Sequence, residues 1–121
     1  MSSLRSTYKQ LLSDYPSDKS TFLKCLVARY LNPSFSVLSS YRVGYYLYHS
    51  KNRFFRFLAS RKRMKLIFKQ NCDISFLSSI GNRFRLPHPI GVVIGAGVIV
   101  GNNVTIFQNV TLGSSGKAGE E

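Results

Sequence analysis

The sequence predicts an α+β fold in which a helical segment is followed by a solenoid of short strands. Apolar residues recur at helical spacing through residues 1–71, whereas aliphatic residues recur every six positions from residue 74 onward. The charge divides at the same point. Fourteen Lys/Arg and two Asp lie in residues 1–71, and residues 72–121 carry three basic and three acidic residues. We therefore predict an α-helical N-terminal domain, 1–71, and a solenoid domain, 72–121.

The composition excludes several broad classes of protein. The chain has 121 residues, a formal net charge of +12 and 44% hydrophobic residues, so it can bury a core. No apolar run reaches the roughly 18 residues that a transmembrane helix needs, and no apolar stretch follows the first residues as in a secretory signal. Cys25 and Cys72 form no metal or redox motif, so we expect a cytoplasmic location.

Four helices are predicted before residue 71. Ser17 or Asp18 is a candidate cap for the second helix, and Pro33 suits the first turn of the third. The predicted bounds are 3–13, 18–31, 33–50 and 53–69.

The fourth predicted helix concentrates the positive charge. Eight basic residues and no acidic residue lie between Lys51 and Lys69, interleaved with apolar residues. The simplest interpretation is a solvated helix that packs its apolar residues on the other helices or on a neighbouring subunit. Peripheral membrane contact through residues 51–69 is a second interpretation. Nucleic-acid binding is disfavoured, because no nucleic-acid-binding motif accompanies the charge.

The second half of the chain is a repeat of six residues. Residues 94–117 divide into IGAGVI, VGNNVT, IFQNVT and LGSSGK. This period matches neither a helix nor a single strand, and it predicts a solenoid in which three hexads make one triangular coil. The step from Ile74 to Ile80 has the same length, and the register shifts by two residues before Ile94. The residues expected to point inward and to be nearly fully buried are Ile94, Val100, Val104 and Ile106.

These repeats contain a more specific pattern. Its parts are Asp73-Ile74, Ile80-Gly81, His88, 91–95, 103–108, 110–113 and Gly116-Lys117. The pattern resembles the hexapeptide-repeat acyltransferases, above all the serine acetyltransferases and the related O-acetyltransferases of polysaccharide pathways. The resemblance implies a left-handed parallel β-helix, of which under three coils are present. It also implies acetyl-CoA as acetyl donor, a hydroxyl-bearing acceptor, and a homotrimer or dimer of trimers.

The resemblance also implies site residues. It places the catalytic base at His88 and its carboxylate partner at Asp73. An alcohol needs a base to attack a thioester, histidine suits that task at neutral pH, and a carboxylate fixes its tautomer. The 15 residues between the two approach the length of one coil, so we expect the pair to meet across adjacent coils. On spacing alone, a loop histidine between Pro87 and Pro89 without a catalytic role is the favoured interpretation of His88.

The loop after the last hexad is the candidate acetyl-CoA site. The resemblance places Gly113 and Lys117 beside the acyl-CoA cleft, where backbone N–H groups bind the thioester oxygen and the lysine approaches a phosphate or the acceptor. A solvated loop is the alternative. We predict no metal site, because two histidines without a Cys/His cluster do not make a typical zinc site. His49 and Cys72 are expected to be structural.

The sequence departs from the family pattern in three respects. The family carries an acidic residue before the histidine, where it helps to hold serine, and Pro87 stands there instead. The acceptor is therefore serine or a sugar of a surface polysaccharide. The family's second active-site histidine falls just past residue 121, and its further coils are not present. We thus expect a chain truncated at its C-terminus. Whether this chain is active without the missing coils is not decided by the sequence.

Two other functions remain open from the sequence. One is a non-catalytic fragment in which the β-helix only mediates trimerisation or assembly. The other is a basic protein that binds a membrane surface. Acetyltransferase activity of a version extended past Glu121 distinguishes an enzyme from the assembly fragment. Vesicle binding at low and high salt tests the membrane-binding function.

Overall fold

The computed structural model describes residues 3–15 and 21–113, which form four α-helices followed by five short strands. The order of elements confirms the predicted change from helices to strands near residue 71. None of the helices in the described ranges combines the length and the apolar character that crossing a bilayer requires. The elements are α1 Leu4–Asp14, α2 Phe22–Leu31, α3 Pro33–Tyr48, α4 Arg53–Gln70, β1 Asp73–Ile74, β2 Ser79–Ile80, β3 Val93–Ile94, β4 Ile99–Val100 and β5 Thr111–Leu112.

The helix ends follow the local sequence. The side chains of Ser3, Asn32 and Asn52 each accept a hydrogen bond from a backbone N–H two or three residues further on, at the starts of α1, α3 and α4. Pro33 is the first residue of α3, where its missing N–H costs no helical hydrogen bond. The predicted caps of α2, Ser17 and Asp18, lie outside the described residues.

The strands build a coil with three faces. β1, β3 and β5 form one parallel sheet, and β2 and β4 form a second. A parallel bridge between Arg85 and Thr105 marks the third face. Strands on successive faces begin six residues apart in both β1–β2 and β3–β4, as the hexads predict. The hand of the coil stays a prediction.

One coil is longer than the other. Asp73 pairs with Val93, a step of 20 residues, whereas Val93 pairs with Thr111, a step of 18. Arg85 still pairs with a residue 20 positions on, so the two extra residues lie between Arg85 and Val93. The predicted register shift therefore falls in the segment that contains His88, and it widens that corner of the coil.

The helices and the coils share one apolar core. Of the four residues predicted to point inward, Ile94, Val100 and Ile106 are buried. Val104 is only partly buried, which corrects the prediction, because no described coil packs over it.

The division into domains 1–71 and 72–121 stays a prediction, and the core is continuous across it. The core includes Val37, Leu38, Tyr41, Ala59 and Leu66 from the helices and Cys72, Ile74, Phe76, Ile80, Phe84, Leu86, Val92, Ile94, Val100 and Ile106 from the coils.

A buried ion pair ties α1 and α3 to the first coil. The Nε of Arg42 donates to Oδ2 of Asp14 at 2.8 Å, and both side chains are almost fully buried. The same guanidinium donates to the Ile80 carbonyl at 2.6 Å, and the Asp14 carboxylate accepts from the backbone N–H of Phe84 at 3.0 Å. Burial raises the pKa of Asp14, because its loss of hydration outweighs the attraction of Arg42.

Candidate active site

His88 lies on the widened corner of the first coil. Pro87 and Pro89 flank it in the chain, and its side chain is exposed. Within residues 3–15 and 21–113, the imidazole ring has no hydrogen-bond partner. The ring is therefore available to a small molecule, as a general base must be.

The backbone on either side of His88 is held by hydrogen bonds to the carbonyls of Pro87 and Pro89. The Ser34 hydroxyl donates a long hydrogen bond of 3.4 Å to the Pro87 carbonyl. The Cys72 thiol, which is buried one turn below, donates to the Pro89 carbonyl at 3.0 Å. One anchor comes from α3 and the other from the coil, so the fold fixes the position of His88 relative to both.

The end of this same corner requires residues that tolerate positive φ. Asn71, Gly91 and Asn109 follow one another at this corner in successive turns, with φ of 52°, 64° and 57°. Asn and Gly are the residues that adopt this left-handed conformation most readily. A Cβ on Gly91 would meet the end of the Asn109 side chain, which would have to move to admit it.

His88 opens onto a groove of about 730 Å³ between the helices and the first coil. The groove lies between the connection from α2 to α3, the end of α4 and the His88 segment. The Gln70 side chain donates to the Ser36 hydroxyl at 2.7 Å, while its buried Oε1 accepts no hydrogen bond from the described residues. The lining residues are Tyr30, Leu31, Asn32, Pro33, Ser34, Ser36, Val37, Lys69, Gln70, Pro87, His88, Pro89 and Ile90.

Asp73 is held by α4 rather than by His88. Its Oδ1 lies 2.8 Å from Nη2 of Arg63, and both side chains are about 40% exposed. The Asp73 backbone N–H donates to the Val92 carbonyl, which lies four residues after His88 in the chain. No hydrogen bond joins the two side chains, and Asp73 does not line the groove. Its role as partner of the base therefore stays a prediction.

The predicted acetyl-CoA residues are only partly described. Gly113 follows β5 and is exposed, with open space around the position that a Cβ would take. Lys117 lies outside the described residues, so the pair remains a prediction. Residues 3–15 and 21–113 contain no group of three His, Cys, Asp or Glu side chains that could hold a metal ion.

Cys72 and His49, which the sequence predicts to be structural, each donate a hydrogen bond to a backbone carbonyl. Burial raises the pKa of the Cys72 thiol, which disfavours the thiolate that a nucleophile needs. The Nδ1–H of His49 donates to the Tyr45 carbonyl at 2.9 Å at the end of α3, and its ring lies against that of Tyr45.

No family model matches the chain, and no curated protein matches its sequence. The serine acetyltransferase of Vibrio cholerae O1 biovar El Tor N16961 matches with a TM-score of 0.71 and 24% identity, over 96% of this chain and 45% of that protein. The soybean serine acetyltransferase apoenzyme matches with a TM-score of 0.68 and 28% identity, over 96% and 46%. The Neisseria gonorrhoeae serine acetyltransferase matches with a TM-score of 0.68 and 26% identity, over 94% and 43%.

This chain shares the fold of the serine acetyltransferases over the part of them that it matches. The similarity includes the helices as well as the parallel strands, which confirms the resemblance inferred from the sequence. The chain spans less than half the length of these serine acetyltransferases.

The groove is the part of the site that the sequence did not reveal. Lys69 and Gln70 lie at the end of α4, whereas other lining residues surround the break between α2 and α3, and no motif links the two groups in the sequence. The one available signal was the Asn32-Pro33-Ser34 break, which predicts a helix boundary but not what the boundary faces. Packing against the serine acetyltransferase-like coil brings these residues to His88.

Proposed function

We propose that this chain is the N-terminal part of an O-acetyltransferase that moves acetyl from acetyl-CoA to the hydroxyl of a small acceptor. The match of 96% of the chain to the soybean serine acetyltransferase, at 28% identity, carries the proposal. Serine is present in another structure of the soybean enzyme, and CoA is present in a further serine acetyltransferase structure. These ligands support acetyl-CoA as donor and a hydroxyl-bearing acceptor.

His88 is the general base of the proposed reaction. It removes the proton from the acceptor hydroxyl as the oxygen forms a bond to the thioester carbon. The bond from that carbon to sulfur then breaks, and the proton passes from the imidazolium to the departing CoA sulfur. The exposure of His88 and its fixed position at the groove support this role.

The other predicted residues assist His88 or hold the donor. Asp73 orients the imidazole and stabilises its protonated form in the reacting complex. Backbone N–H groups in the loop that begins near Gly113 bind the thioester oxygen as it gains negative charge, and Lys117 approaches a phosphate of CoA or the acceptor.

The groove supports a polar acceptor. Serine and asparagine side chains, Lys69 and Gln70 line it beside His88, and they offer donors to hydroxyl or carboxylate oxygens. Pro87 supplies no charge for the amino group of serine. For this reason we include the sugar of a surface polysaccharide beside serine as an acceptor.

The proposal extends to the architecture and location of the enzyme. The likeness to serine acetyltransferases supports a left-handed β-helix, since the described strands stack in parallel as such a coil requires. We also propose a homotrimer or dimer of trimers with acetyl-CoA between subunits, and a cytoplasmic location.

The test is steady-state kinetics on a version whose β-helix is extended past Glu121. We expect His88→Ala to lower kcat by roughly 10²–10⁴-fold, the usual effect of removing a positioned base. Asp73→Asn should lower kcat less, because it leaves the base in place, and neither change should alter KM for acetyl-CoA much. Release of CoA is measured with serine and with a panel of sugars.

His49→Ala is the matched control, because His49 is the other histidine of the chain, is exposed and does not line the groove. Its kcat should equal that of the parent. Undiminished turnover in His88→Ala would show that another residue is the base. No turnover of any acceptor, with a stable trimer, would instead favour the non-catalytic assembly function.

A further inference from the structure

α4 carries an apolar stripe on its exposed side. Ala59 and Leu66 are fully buried and pack into the core. On the opposite side, Phe54, Phe57, Met64 and Phe68 have 61%, 60%, 50% and 73% of their surface exposed. They are three, seven and four residues apart, which places them along one line on a helix. We call these four residues the α4 stripe.

Basic residues border the α4 stripe. Arg53, Arg56, Arg61 and Lys65 are all exposed, and α4 contains no acidic residue. Arg63 is the only basic residue of α4 with an acidic partner among the described residues. The neighbourhood is crowded with positive charge. Burial, together with nearby Arg29 and Lys65, lowers the pKa of Lys62.

We propose that α4 binds an anionic lipid surface through the α4 stripe. The helix lies parallel to the membrane plane, the apolar side chains enter the boundary between headgroups and acyl chains, and the bordering Arg and Lys contact lipid phosphates. The stripe runs over about 21 Å of helix, which suits an interfacial orientation rather than a single anchoring side chain. α4 is already folded against α3, so binding requires no folding of the helix.

The charge distribution favours a lipid surface over other partners. Pairing α4 with α4 of a second copy would bring like charges together, with no acidic residue on either helix to offset them. A nucleic-acid duplex would satisfy the basic residues but leave four large apolar side chains in water, because its bases are already paired and stacked. An anionic bilayer accommodates both, since it offers phosphates at the depth of the basic residues and hydrocarbon below them.

Vesicle co-sedimentation of the chain tests the proposal. Vesicles of phosphatidylcholine alone are compared with vesicles of phosphatidylcholine and phosphatidylglycerol, each at low and high salt. We expect binding to the anionic vesicles that weakens as salt rises. The double variant Phe57→Ser/Phe68→Ser keeps the charge and should bind about 100-fold more weakly, because two large apolar side chains no longer leave water. Circular dichroism checks that it remains folded.

The matched control is Phe22→Ser/Leu23→Ser on α2. It removes two apolar side chains of similar exposure, 63% and 69%, from another helix, and it should bind as tightly as the parent. Failure of the chain to bind anionic vesicles would overturn the proposal, as would equal binding by Phe57→Ser/Phe68→Ser. So would duplex DNA binding of the same strength as vesicle binding, or a dimer that this variant converts to monomer. None of these outcomes depends on acetyl transfer, so the proposed enzyme function is tested separately.

Discussion

The Asp73 carboxylate and the Arg63 guanidinium form an ion pair that water reaches from both sides, since each side chain is about 40% exposed. An ion pair in this setting contributes little to the free energy of unfolding, because solvent screens the attraction and two long side chains lose freedom. Its main consequence is one of orientation. In the described part of the chain, the carboxylate is directed to α4, whereas His88 faces the groove.

We expect Arg63→Ala to change the free energy of unfolding by less than about 1 kcal/mol, measured by urea denaturation. Asp73→Asn should have an effect of the same size, and the double variant should add little to either single change, because both remove one interaction. A loss of several kcal/mol in Arg63→Ala would mean that the guanidinium has a structural role beyond this ion pair.

At the scale of elements, α3 is the helix that joins the other helices to the coil. The ring of Phe76, which follows β1, packs directly on Gly44 in the middle of α3. A Cβ built on Gly44 comes within 2.1 Å of this ring. Phe76 is buried, so its ring has little room to move. Gly44 thus sets how closely the first coil approaches α3.

Gly44→Ala is expected to destabilise the protein by about 1–3 kcal/mol, although alanine is the better helix former. Thermal or urea unfolding measures this change. Phe76→Leu in the same chain should recover part of the loss, since it removes the atoms that the new methyl group meets. An increase in stability from Gly44→Ala alone would show that the two elements separate at no cost.

α2 and α4 differ from α3 in how much apolar surface they leave exposed. α2 has no buried residue, and its apolar side chains, including Phe22 and Leu23, are exposed in the single chain. α4 combines exposed phenylalanines with a high density of basic residues, and α2 does not carry the same density of charge. This difference is the reason for using α2 as the control in the vesicle experiment.

At the scale of the whole molecule, the ion pair of Asp14 and Arg42 connects three separate parts of the chain. It joins α1 to α3, and hydrogen bonds to Ile80 and Phe84 extend it to the first coil. A buried pair of this kind adds little net stability compared with apolar side chains, but removal of one partner leaves a costly unpaired charge.

Arg42→Met is therefore expected to cost about 3–5 kcal/mol at neutral pH. Loss of the guanidinium raises the pKa of Asp14 further above its ordinary value of 3.8. When the pKa of a carboxyl is higher in the folded than in the unfolded state, protonation of the carboxyl favours the folded state. This contribution is complete below the unfolded pKa and is lost as the pH rises through the folded pKa. Urea unfolding at about pH 5 should thus show a smaller loss than at about pH 7.

The control for this pH effect is Asp14→Asn/Arg42→Met, which has no titrating carboxyl at the site. Its loss of stability relative to the parent should depend on pH much less than that of Arg42→Met. If Arg42→Met alone lost the same stability at both pH values, Asp14 would not be the group that responds.

The sequence by itself determined the order of elements, from helices to short strands. Helical spacing and caps such as Asn32 predicted the helices, because these signals act within one or two turns of chain. The hexads predicted the stacked coil and a register shift before Ile94, and the strand pairing places that shift in the segment that contains His88. The resemblance to serine acetyltransferases followed from residues 72–117, and the structural comparison agrees with it at the level of fold.

Only the tertiary structure decided what surrounds those residues. Arg63 meets Asp73, and Lys69 and Gln70 meet the His88 groove, because α4 packs at one particular angle and rotation against α3 and the coil. The partial burial of Val104 depends likewise on whether another coil lies over it. Local patterns record which face of a helix or coil is apolar, but not which distant element covers that face. The contacts that define the candidate site join elements that are distant in the sequence, so local patterns did not predict them.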